Sequence, residues 1–160
     1  MSGMGQGGDR PVGRNYYSEI DLHVTWHTKD SLPVLTETVE PLAYRYVRQK
    51  LVSMEGVFVH EIGGTETHVH VVVTIPPTML ISDLVGQVKG ASSHEVNQQV
   101  GRGGKVLQWQ AGYGVVSFGT RDLDWVKGYV RNQREHHSQG TTFERLERVT
   151  ERESKPGEEA

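Results

Sequence analysis

Residues 68–75, HVHVVVTI, constrain the fold of this chain more than any other stretch. Valine, threonine and isoleucine branch at Cβ and favour extended backbone. Pro76–Pro77 follows at once and ends the strand. Side chains on a strand alternate between faces, so His68 and His70 emerge together from adjacent pleats while Val69 enters the opposite face. Two imidazoles so placed are able to share one divalent metal. The plainer reading is a pair of solvent-facing histidines on a half-buried strand.

The remaining elements arrange themselves around that strand. EIDLHVTWHT, residues 19–28, alternates, with Ile20, Leu22, Val24 and Trp26 on one face. Thr36 or Thr38 caps a helix with Pro41 in its first turn, whose apolar side runs through Ala43, Tyr46, Val47, Leu51 and Met54 until Gly56. A second strand spans Val57 to Ile62, and Gly63–Gly64 with the polar residues after them form the turn into HVHVVVTI. A second helix carries Leu80, Ile81, Leu84, Val85, Val88 and Ala91 and runs to about Val100, where GRGG breaks it. A fourth strand lies near Tyr113–Phe118, and Thr120 caps a last helix. Strand, helix, strand, strand, helix, strand is the ferredoxin-like α+β order βαββαβ: a four-stranded antiparallel sheet with two helices on one face. The other face is left for the last helix, for a ligand, or for both.

A chain of 160 residues is one domain of ordinary size. The Gly-rich residues 1–15 read as a disordered arm, residues 16–137 as the domain, and residues 138–160 as a charged, flexible tail. Within that tail Phe143, Leu146 and Val149 allow one weak helical stripe. The absence of cysteine excludes disulfides and thiolate metal sites. No apolar run is long enough to span a bilayer and the N-terminus lacks a signal peptide's apolar core, so the expected setting is cytoplasmic. The formal net charge of -3 does not favour generic nucleic-acid affinity, which would have to come from local patches.

The last predicted helix reads DWVKGYVRNQREHH. Leu123, Val126 and Val130 form a stripe able to dock on the sheet. Tyr129 and Gln133 stand four apart and share the neighbouring face. Taken alone, Tyr129 is an ordinary interface aromatic and Gln133 a solvated helix former. His136 and His137 lie one turn on, as extra ligands or as a solvated helix end.

Taken together, a strand with H-hydrophobic-H in third place and a final helix with Y-x-x-N-Q-x-x-H-H resemble one family. This is the single-tyrosine HUH transposases of small bacterial insertion sequences (IS200-like), including the REP-associated tyrosine transposases. The likeness covers roughly residues 17–137, with HVTWHTKDSLPVLT, VKGASS and WQAGYGVVSF as further matching segments. It implies that His68, His70 and Gln133 bind Mg²⁺ or Mn²⁺ and that Tyr129 attacks DNA. The expected chemistry leaves a covalent 5′-phosphotyrosine and a free 3′-OH, conserves the phosphodiester energy and needs no ATP. It also implies a homodimer acting on single-stranded hairpin DNA at the ends of an insertion element. In one respect the sequence departs: members commonly carry Asp or Asn before the first histidine, and here Thr67 stands there. A hydroxyl holds a histidine less firmly than a carboxylate.

Candidates for DNA contact are Lys127, Arg131 and Arg134 near the tyrosine, Lys89 on the second helix, Arg45 and Arg48 on the first, and Trp109 as a stacking platform. Each basic set alone reads as a solvated face, and Trp109 also suits the core. Two other functions compete. A domesticated relative would bind hairpin DNA without transposing. A histidine-triad nucleotide hydrolase or transferase would need a histidine two residues beyond His70, where Val72 stands.

Overall fold

A computed structural model of the protein describes residues 16–149; the proposed N-terminal arm and the end of the tail lie outside the described residues. Four strands, β1 (Ile20–His27), β2 (Phe58–Gly64), β3 (His68–Ile75) and β4 (Gly114–Phe118), form one antiparallel sheet in the order β2-β3-β1-β4. This is the ferredoxin-like α+β architecture.

Alternation along the two central strands sorts side chains into two layers. Leu22, Val24 and Trp26 of β1 and Val69, Val71 and Val73 of β3 face α1 (Val39–Ser53) and α2 (Ile81–Val100). Val47 and Leu51 of α1 and Leu84, Val85 and Val88 of α2 complete this core. Each such side chain contributes roughly 1.5–3 kcal/mol on burial. Val39 and Ala43 extend the packing towards Leu35, Val96 and Leu107. α1 ends as expected ahead of Gly56, whose φ of 79° suits glycine.

The opposite face carries the histidines of β1 and β3. In register, Thr25 pairs with His70, His27 with His68 and His23 with Val72. Across this face lies α3 (Leu123–Arg131), docked by Val126 and Val130 on Val72 with Leu123 alongside. A 3-10 turn at Thr120–Asp122 precedes it, and the Thr120 hydroxyl donates to the Asp21 carboxylate (2.5 Å) instead of capping the helix. The helical path breaks at Asn132 (φ -102°, ψ 28°) and resumes as α4 (Gln133–Gln139), ending at Gly140 in the left-handed region. One more helical turn, α5 (Glu144–Glu147), lies against β4 and β1, with Leu146 buried among Val72, Val126, Tyr129 and Val130.

Gly63 and Gly64 belong to β2, paired with His70 and Val69, so the turn into β3 is Thr65–Thr67. A Cβ at Gly63 would lie 2.0 Å from the Val130 carbonyl oxygen; only a glycine lets the helix backbone come this close.

Candidate active site

The two histidines of β3 are deeply buried, His68 at 3% and His70 at 0% exposure. Each ring is fixed through Nδ1. His70 Nδ1 lies 2.6 Å from His23 Nε2. His68 Nδ1 lies 3.0 Å from both the Thr65 and the Thr67 hydroxyls. The threonine that departs from the expected pattern therefore does hold the histidine, with a second threonine beside it. With Nδ1 engaged, both Nε2 atoms point to one spot under α3, and neither has a hydrogen-bond partner.

Tyr129 reaches the same spot from α3. Its ring is sandwiched between Trp125 (5.7 Å between centroids) and His136 (4.7 Å), and its centroid lies 6.3 Å from that of His70. The Phe143 backbone N–H donates to its hydroxyl (2.8 Å), and the hydroxyl donates to Glu147 Oε1. Gln133 is fully buried; its Nε2 donates to the Tyr129 carbonyl (3.2 Å) and its Oε1 lies 3.1 Å from His137 Nε2. His137 stacks edge-on against His68 at 4.7 Å. The other oxygen of Glu147 lies 3.4 Å from His68 Nε2, 3.3 Å from His70 Nε2 and 3.3 Å from His137 Nε2.

Burial holds His70 and His23 neutral. It pushes His70 down to about 4 against the pull of the Glu147 carboxylate, and pushes His23 down to about 3, with His70 adding to the shift. Burial also pushes the Tyr129 hydroxyl up to about 12, reinforced by its bond to Glu147. Partial burial works against ionisation of Glu147, yet its contacts with His68 and His70 hold its carboxyl well below the usual range. When the His70 proton sits on Nδ1 and is donated to His23, a bare Nε2 lone pair faces a carboxylate oxygen. Two acceptors in contact repel, and a cation between them removes the conflict. His68, His70, His137 and Glu147 offer ligand atoms within 4.8 Å of one another, a group able to hold a metal ion.

The sequence-derived residues thus separate into two sets. His68, His70, Tyr129 and Gln133 come together. The basic candidates are dispersed. Arg131 pairs with Glu61 (2.9 Å), and Arg134 pairs with Glu40 and Glu66, so both help tie the helices to the sheet and α1. Lys89 is spent on the carbonyls of Gln110 and Gly112 (2.7 and 2.6 Å). Trp109 packs edge-on against Trp26 and donates to the Ser92 hydroxyl (3.0 Å). Arg45 and Arg48 are exposed on α1, and Lys127 is half-buried on α3. A groove of about 880 Å³ runs beside Trp109, lined by Lys29, His94, Arg102, Lys105 and the amides of Asn97 and Gln110.

Sequence reasoning missed His23, Trp125 and Glu147. His23 was legible in principle, since His23, Thr25 and His27 alternate with the apolar residues of β1. Trp125 precedes Tyr129 by four, the spacing of stacked helix neighbours. Nothing near Glu147 in the sequence marks it.

The sheet with its paired histidines under a tyrosine-bearing helix defines a class of α+β protein that sets a phenol beside a group of side chains able to hold a metal ion. Within that class, residues 16–133 match the family model "Transposase IS200 like", and the chain belongs to that family of transposases. Solved structures share the fold. One is a transposase candidate from Deinococcus radiodurans R1, 22% identical, with a TM-score of 0.60 over 76% of this chain and 95% of the other. The second is a REP-associated tyrosine transposase bound to a REP hairpin, 16% identical, with a TM-score of 0.56 over 81% of this chain and 74% of the other. No curated protein sequence matches the chain. Among the described residues no helix is long and apolar enough to cross a membrane.

Proposed function

We propose that this transposase cuts and rejoins single-stranded DNA at hairpin ends, with Tyr129 as nucleophile and a divalent metal, Mg²⁺ or Mn²⁺, held by His68, His70 and Gln133. The observation that carries this reading is the single carboxylate of Glu147, which touches the Tyr129 hydroxyl with one oxygen and the histidine Nε2 atoms with the other. Nucleophile and metal donors are therefore one small anion apart, the span a scissile phosphate has to bridge.

Bound there, a divalent cation supplies Lewis-acid polarisation of the phosphate. The chain's own residues supply the rest. Trp125 and His136 clamp the phenol ring, so the hydroxyl has one direction of approach. His23, Thr65 and Thr67 fix the histidine rings through Nδ1. Gln133, anchored on the Tyr129 carbonyl, ties the nucleophile's helix to the ligand cluster. In the reaction the Tyr129 Oη–P bond forms as the P–O3′ bond breaks. The phenolic proton is lost to solvent, and the departing 3′ oxygen takes up one. Attack by another 3′-OH reverses the exchange and joins a new strand. The groove beside Trp109, lined by α2 and residues 102–111, lies near the end of β1, where Thr28 bridges to Trp109 and His27 stacks on His68 at 4.9 Å. Lys29, Arg102 and Lys105 suit it to a phosphate backbone. One nucleophilic tyrosine per chain supports a homodimer as the unit that moves a two-ended element.

Incubation with labelled hairpin DNA and Mn²⁺, followed by denaturation, tests the reading. A covalent adduct that vanishes in Tyr129→Phe and with chelator is expected. An adduct that survives Tyr129→Phe would assign the wrong nucleophile, and hairpin binding without an adduct would leave a DNA-binding relative that no longer cuts.

A further inference from the structure

The segment after α4 reaches back over the sheet. Leu146 is buried in the apolar cluster between α3 and the sheet. The backbone beside it rests directly on β4: a Cβ at Gly114 would lie 1.8 Å from the Arg148 carbonyl oxygen. Two consequences reach the site from this anchorage. The Phe143 N–H is donated to the Tyr129 hydroxyl, and the Glu147 carboxylate is inserted between that hydroxyl and the three histidines. A carboxylate and a phosphodiester each present two partly negative oxygens across a short bite. Two such anions do not share one position in a site of low dielectric.

Building on the active-site reading above, we propose that Glu147 stands in for the scissile phosphate, completing the metal's ligand set and occupying the nucleophile until DNA displaces it. Leu146 then acts as the anchor that sets how readily the segment lets go. The occupied state keeps the metal bound in the absence of DNA while lowering the apparent affinity for the strand, since only the displaced fraction is competent to bind.

The full-length chain with Mn²⁺ alone, then with hairpin DNA, tests this. Glu147→Gln keeps the shape and removes the charge. Without DNA it should bind Mn²⁺ about tenfold more weakly, as loss of a charged ligand does. With DNA at concentrations below saturation it should form the Tyr129 adduct faster, by about tenfold. Leu146→Ala, which touches no ligand atom, should also speed adduct formation. The opposed directions identify a stand-in: a ligand or base needed for the reaction would lose activity together with metal. Slower or unchanged adduct formation in Glu147→Gln, beside an active parent, overturns the proposal and leaves the active-site reading intact. Mn²⁺ binding indifferent to His70→Ala, with no adduct from parent or variant, overturns both.

Discussion

Gly63→Ala is the smallest change that should disconnect Tyr129 from the histidines. An alanine Cβ there would lie 2.0 Å from the Val130 carbonyl oxygen and 2.9 Å from its carbonyl carbon. Non-bonded carbon and oxygen do not settle much closer than about 3 Å, so α3 and β2 must part by about 1 Å. Neither side yields cheaply, because both are backbone within regular elements, and overpacking of this kind costs about 1–3 kcal/mol. At about 2–4 °C per kcal/mol for a chain of this size, the melting temperature should fall by several degrees. The activity loss should be larger in proportion. Tyr129 adjoins Val130 on the displaced helix, while His70 pairs with Gly63 on the sheet. A misplacement of about 1 Å between reacting groups costs about a hundredfold in rate. Differential scanning fluorimetry and the rate of adduct formation read the two effects. Gly90→Ala is the control: no atom beyond its own stretch of helix lies within 4 Å of its added Cβ, and a helix-interior glycine so replaced should gain about 0.5–1 kcal/mol. A Gly63→Ala protein with parental melting and parental adduct rate would refute the close docking of α3 on β2.

Acid should unfold the metal-free protein through its buried histidines. His23 and His70 have folded pKa values of about 3 and about 4 against 6.5 in the open chain, so the unfolded state binds more protons below neutrality. Their contribution is whole above about pH 7.5 and is lost as pH falls through 6.5, reaching about 2 kcal/mol per histidine by pH 5. Urea unfolding at pH 7.5 and 5 measures it; His23→Asn should remove about half the loss, and stability equal at both pH values would contradict the assignment. In the double variant Thr65→Val and Thr67→Val, the Mn²⁺ dissociation constant should rise about tenfold or more, because His68 loses both hydroxyls at Nδ1. An unchanged constant would show that the threonines do not orient the ring.

The parts of the fold that sequence revealed are those whose cause is local. β3 begins at His68 and ends at Ile75 as read, because β-branching and a double proline both act on the residues that carry them. α1 and α2 announced themselves by the spacing of Ala43, Val47 and Leu51 and of Leu84, Val85 and Val88. Gly63–Gly64 read as a turn because glycine pairs usually make one; the use of Gly63 here, close approach of a helix from 67 residues along the chain, leaves no local trace. The break at Asn132 carries no Gly or Pro to signal it, yet the spacing of Tyr129 and Gln133 survives as a side-chain bond across it. Glu147 sits in a charged stretch where nothing distinguishes it from Glu144, which is exposed. Its place in the site depends on Leu146 finding the cluster under α3, a long-range event.

The alternation in β3 also governs how this protein is able to fail. His68, His70 and Val72 look toward α3 and α5, while Val69, Val71 and Val73 look toward α1 and α2. A slip of one residue would exchange the two sets at a stroke, driving imidazoles into the apolar layer and valines into the layer that faces α3. The bulge between Val59 and Glu61 on the neighbouring strand fixes the pairing against such a slip. A single-residue insertion or deletion in this strand therefore yields no folded but inert molecule; it yields an unfolded one, open to proteolysis. Substitution alone is left as a route by which an inactive chain keeps its shape.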